Sequence, residues 1–139
     1  MSTVASGSTA RRLLGVAAAG LLATIAAMVA VVGAAALAKA VGVDFEIPDD
    51  GEVIPLGGFA TVTGFFCLLG VVLAVALSRW SPHPSRWFIR TTVVLTAASL
   101  VPPFLAGADA GTTATLVALH LIAAAVVIPV LAVRLRVAD

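Results

Sequence analysis

The sequence predicts an all-α, polytopic membrane protein: a four-helix transmembrane bundle with both termini in the cytoplasm. Three observations carry this. Apolar runs cover roughly residues 13–38, 58–78, 88–106 and 113–133, each close to the ~20 residues that cross a bilayer as a helix. Of the 139 residues, 61% are hydrophobic and 11% charged, where a soluble domain carries about 25% charged residues. The charges are also sorted. Arg11 and Arg12 precede the first run, Arg79, Arg86 and Arg90 lie between the second and third, and Arg134 and Arg136 follow the fourth. Asp44, Glu46, Asp49, Asp50 and Glu52 fall between runs one and two, and Asp109 between three and four. Asp139 is the one acid on the arginine side. This is the positive-inside pattern, and it places the chain as a multi-pass protein of a bacterial cell membrane. The length gives one domain.

Residues 1–12 are small and polar up to Ala10 and are predicted to form a disordered cytoplasmic N-terminus. The first span, 13–38, is about 39 Å long as a helix against roughly 30 Å of hydrocarbon, so it tilts or projects at one end. Ala38-Lys39-Ala40 resembles a signal-peptidase site. A secretory signal core runs only about 7–15 residues, and the length of this run favours a retained helix.

Lys39 to Gly57 is the one long connection. Val43-Asp44-Phe45-Glu46-Ile47 alternates apolar with polar residues, as does the stretch around Val53-Ile54-Pro55-Leu56, and Pro48-Asp49-Asp50-Gly51 between them is a turn signal. Two readings follow, a short β-hairpin over the outer end of the bundle or an irregular acidic loop. Asp49, Asp50 and Glu52 lack the ligand spacing of a calcium loop, so a solvated acidic face is expected and no metal site is assigned.

The second span, 58–78, runs into Arg79-Trp80-Ser81-Pro82-His83-Pro84-Ser85-Arg86-Trp87, a proline-broken turn with two tryptophans at the interface. His83 is expected to be exposed there. The third span, 88–106, carries Thr92, Thr96, Ser99 and Pro103 at i, i+4, i+7 and i+11, one stripe of a helix. Pro102 and Pro103 break it near its outer end and free the carbonyls of Ala98 and Ser99 from their usual donors. The fourth span, 113–133, contains Pro129, read as a fixed bend, and is followed by a cytoplasmic tail, 134–139.

His120 is the one ionisable side chain well inside a span, and such residues usually face a bundle interior or a wet cavity. An antiparallel pairing sets it at the depth of Ser99 to Pro103. His120, Ser99, Thr96, Pro102, Pro103 and Asp109 therefore form a candidate polar pocket under the outer loop. Two plainer readings stand beside it: His120 as an interhelical hydrogen-bonding group, and hydroxyls bonded back to their own helix. Small residues make further surfaces: Gly15, Ala19, Ala23, Ala26, Ala27 and Ala30 on the first helix, and Gly64, Cys67, Ala74 and Ser78 on the second. They favour close helix packing within the chain, with a protein partner, or in a homodimer.

No basic stretch is dense enough for nucleic acid, no cofactor motif is present, and the lone Cys67 rules out an intrachain disulfide and a dithiol redox site. No catalytic constellation stands out. Small multidrug transporters are similar in size, but no acid lies between Leu13 and Ala38 to exchange protons. Dimeric fluoride channels use asparagine, which this chain lacks.

From about Val43 onward, the segments Ile54-Pro55-Leu56-Gly57-Gly58, Ser99-Leu100-Val101-Pro102-Pro103 and His120-Leu121-Ile122-Ala123-Ala124-Ala125-Val126-Val127-Ile128-Pro129 resemble an uncharacterised family of small four-helix actinobacterial integral membrane proteins, known as a domain of unknown function. The resemblance implies that the Ser-to-Pro-Pro and His-to-Pro segments are marked elements, and it brings no activity. The sequence thus points first to a non-enzymatic structural or accessory membrane protein, with membrane lipid and a protein partner or second copy as its neighbours. The alternative is a small-molecule binding or transport protein working through the pocket around His120.

Overall fold

The computed structural model describes residues 2–48, 51–137 and 139, with the side chains of 2–5 left aside. Asp49 and Asp50, half of the predicted turn and two of the loop's acids, lie outside the described residues. Helix α1 spans Ser2–Ala40, strands β1 and β2 span Glu46–Ile47 and Glu52–Val53, and α2 spans Leu56–Trp80. Then come α3, Pro84–Ser99, the short α4, Val101–Leu105, and α5, Ala110–Arg136. Among the described residues, four helical segments are long and apolar enough to cross a membrane, α3 and α4 counting together as one.

The helices pack as a four-cornered bundle in the order α1, α2, α3, α5, with α1 closing on both α2 and α5. The arginines gather at one end and the acidic loop at the other, called here the arginine end and the acidic end. Where the sequence reading places a disordered segment over 1–12, helix α1 runs back to Ser2. Its 39 residues make it about 58 Å long at 1.5 Å per residue. Arg12 marks where α1 leaves the bundle. Its Nη2 donates to the Ser78 carbonyl at 2.7 Å, one of the acceptors that the end of α2 leaves without a helical donor, and it sets a cation against the negative end of the α2 dipole.

At the acidic end α1 stops on a glycine. Gly42 has φ +104°, a left-handed conformation open to glycine at no steric cost. Val43 N donates to Ala38 O at 3.0 Å and Gly42 N to Lys39 O at 3.1 Å, the paired bonds of a Schellman stop. The loop then forms the hairpin that alternation predicts, with Glu46 opposite Val53 and Ile47 opposite Glu52 in an antiparallel pair. The third span breaks where its prolines require. Leu100 ends α3, its N–H reaching back to Thr96 and Ala97 carbonyls, and α4 carries Pro102 and Pro103, whose missing N–H groups cannot continue the α3 ladder. The start is earlier than 88, because Pro84 takes the first helical position, where its missing N–H costs nothing.

The core divides by depth. Toward the arginine end, Val16, Ala23 and Ala27 of α1 meet Cys67, Val71 and Ala74 of α2, Phe88 of α3, and Val127, Leu131, Ala132 and Leu135 of α5. Toward the acidic end, Val31, Ala35, Phe59, Leu116 and Leu119 surround Phe45, which comes from the loop. From Gly64 onward the buried residues of α2 fall at Gly64, Cys67, Val71, Ala74 and Ser78, a three-four alternation that keeps one seam toward its neighbours.

Candidate functional site

Among the described residues, polar groups or open space gather at the acidic-end cap, around His120, in a groove between α3 and α5, and at the arginine end.

At the acidic end Phe45 is completely buried and holds φ +57°. A left-handed conformation costs an aromatic residue roughly 1–2 kcal/mol, and its ring is held in place edge-on against Phe59, centroids 4.9 Å apart. Asp44, next to it, is exposed. Its Oδ1 accepts from Glu46 N at 3.1 Å and lies 3.5 Å from the hydroxyl of the fully buried Thr112. Asp109 begins α5, its Oδ1 accepting from Gly111 N at 2.7 Å and Thr112 N at 3.2 Å, an N-cap that satisfies two orphan donors. The Thr112 side chain, then the Thr112 backbone N–H, hold the exposed Asp109 carboxyl below its ordinary range. Among the described residues no three His, Cys, Asp or Glu side chains converge as metal ligands.

His120 is half-buried on α5. Its Nδ1 donates to the Leu116 carbonyl one turn back at 2.6 Å. A carbonyl can only accept, so the proton sits on Nδ1. Ser99 Oγ donates to Thr96 O at 2.7 Å, and Thr92 Oγ1 to Phe88 O at 2.7 Å. Both hydroxyls are engaged along their own helix. Pro103 is buried and Pro102 exposed on α4. The structure brings Ser99 and Thr96 together. It does not bring Asp109 to His120, since eleven residues of α5 separate them, about 16 Å along the axis.

The third place is a groove of about 500 Å³, open on the outer surface of the bundle. Val93, Thr96 and Ala97 of α3, with Leu100 just past its end, form one wall, and Leu121, Ala124, Ala125, Ile128 and Pro129 of α5 the other. Thr96 is thus the predicted site residue that faces open space, while His120 lies outside the lining. The groove residues on α5 follow an i, i+3, i+4 spacing, and that was the signal available in the sequence. Alanine-rich helix obscures it, because every face of such a helix carries small residues.

The arginine end shows one arrangement the sequence did not announce. Ser85 N and Ser85 Oγ both donate to the carboxylate of Asp139, the backbone bond at 3.1 Å. The chain's single acid on the arginine side thereby caps the start of α3. The Ser85 hydroxyl, then its N–H, with His83 and Arg86 nearby, hold that carboxyl below its ordinary range. Alongside, Arg90 lies 5.9 Å from the Trp87 ring centroid, a cation–π contact at the interface.

The chain belongs to the family of unknown function DUF6069, which it matches over residues 10–137. The match takes in the first helix as well as the segments from Val43 onward. No curated protein and no solved structure matches it.

Proposed function

We propose that this chain is a non-enzymatic structural or accessory protein of the bacterial cell membrane that works by packing its α3–α5 groove against a partner within the bilayer. The positive-inside rule puts the arginine end, with both termini, in the cytoplasm. The observation that carries the reading is the groove itself: about 500 Å³, with alanines at Ala97, Ala124 and Ala125. Small side chains let a neighbouring backbone approach closely, and this drives helix association where lipid offers no hydrophobic gain. The hydroxyls of Thr24, Thr61, Thr92, Ser99 and Thr115, and Nδ1 of His120, are bonded to their own helices. That engagement favours packing over a polar transport path.

A photoreactive residue tests this. Placed at Leu121 in the groove, it should give adducts with protein. Placed at Leu22, 69% exposed on the far side of α1, it should give lipid adducts alone. Lipid alone from both positions, or protein at equal yield from both, contradicts the reading.

A further inference from the structure

We propose that the partner filling the α3–α5 groove is a second copy of this chain, in a parallel two-fold dimer in which the Thr96 hydroxyl of each copy donates to the Ala125 carbonyl of the other. This rests on the groove being a packing face, as argued above, and it names the occupant.

Two polar groups of groove-lining residues are left over by the fold. Pro129 has no N–H, so the carbonyl of Ala125, four residues earlier, loses its helical donor. Ala125 is exposed in the groove wall, and a backbone carbonyl facing hydrocarbon requires a donor. Across the groove stands Thr96. Thr24, Thr61, Thr92 and Thr115 each return their hydroxyl to the carbonyl four residues back, at 2.7–3.0 Å. Thr96 does not, and among the described residues its hydroxyl meets no acceptor. One spare donor and one spare acceptor therefore belong to residues that line the same apolar groove.

Their depth selects the occupant. Thr96 is twelve residues from the start of α3 at Pro84, and Ala125 eleven from the end of α5 at Arg136, so both lie about 17 Å above the arginine end. Copies inserted in one orientation and related by a two-fold axis along the membrane normal meet at equal heights. In such an interface each surface is its own complement. Thr96 of one copy then faces Ala125 of the other, twice over, and the alanines allow the backbones to close. A lipid chain matches the apolar walls but carries no donor at this depth.

Fluorescence energy transfer between donor- and acceptor-labelled full-length chains, diluted in bilayers, measures the dimer. Thr96→Val and Pro129→Ala should each weaken it roughly five- to tenfold, the effect of losing two interhelical hydrogen bonds in a membrane. Thr96→Ser keeps the hydroxyl and should remain within about twofold of the parent. Transfer at the random-collision level at every density overturns the proposal, as does a dimer that neither Thr96→Val nor Pro129→Ala weakens. Leu121 photoadducts with a different protein overturn the second copy while sparing the packing face. Leu121 adducts with lipid alone overturn both.

Discussion

The seam between α1 and α2 and the groove between α3 and α5 are built from the same small residues, yet one is closed and the other open. In the seam, the gaps left at Gly20 and Gly64 are filled from across. Gly20 faces Val71 and Leu131 so closely that a Cβ there would sit 2.6 Å from a Val71 methyl. Gly64 faces Met28 in the same way, a Cβ falling 3.0 Å from its sulfur. Ala23, Ala27 and Ala74 are nearly or wholly buried between them. In the groove, Ala97 stands on one wall and Ala124 and Ala125 on the other, beside Val93, Leu100, Leu121 and Ile128, and about 500 Å³ stays open between the walls. Small residues make tight packing only when a larger one opposes them. Where alanines stand on both walls, as in the groove, room is left for something outside the chain.

The largest expected effect is at the acidic end, where Phe45 closes the α1–α2 side. Phe45→Ala should cost about 3–5 kcal/mol, the range for emptying an aromatic core site, read by reversible unfolding in detergent. A change below about 1 kcal/mol would mean that the loop rests on the bundle without holding it. Gly20→Ala comes next. The Val71 methyls are fixed on a stiff, branched side chain, so the added carbon should destabilise by about 1–3 kcal/mol, while Gly64→Ala should cost less because Met28 can turn away. Equal effects at Gly20 and Gly64 would remove the argument from opposing side chains. His120→Ala should cost about 0.6 kcal/mol, the average for a polar contact in a membrane bundle. A much larger loss would give His120 a partner across helices that its bond to Leu116 does not supply.

The smallest effect is one of pH. Asp109 and Asp139 have carboxyls held lower in the folded chain than in the unfolded one. Their stabilisation is therefore fully present above the unfolded value, about 3.9, and is lost as pH falls through the lower folded values. Melting curves between pH 6 and pH 2 should show the parent losing more stability with acid than Asp109→Asn. Parallel curves would remove the role of this cap.

Much of the architecture was legible in the sequence. The four spans, the hairpin alternation through Phe45 and the break at Pro102 and Pro103 all follow from length, period and missing donors. The burial of single positions did not. On a soluble helix the polar face marks the outside, but in lipid the outer face is as apolar as the inner one. Leu22, Val29, Phe66 and Leu105 are thus exposed although nothing in their chemistry says so. Among the small residues picked out on the first helix, Ala19, Ala23 and Ala27 are buried while Ala26 is exposed. The candidate pocket was chosen by residue type, which picks out Thr96 and Ser99 on one stretch of α3 but could not show which hydroxyls bond back to their own helix. Asp139 reaching Ser85 joins residues far apart in the chain, and no local pattern carries that.

The contrast between seam and groove is tested most directly by one pair of substitutions, Ala27→Leu and Ala125→Leu, unfolded reversibly as single copies in nanodiscs. Ala27 is completely buried in the seam and Ala125 is exposed in the groove wall. The account predicts a loss of about 3 kcal/mol or failure to fold for Ala27→Leu, and a change within about 0.5 kcal/mol for Ala125→Leu. Comparable losses at both positions would mean that the α3–α5 face is closed packing like the seam, and would contradict the account.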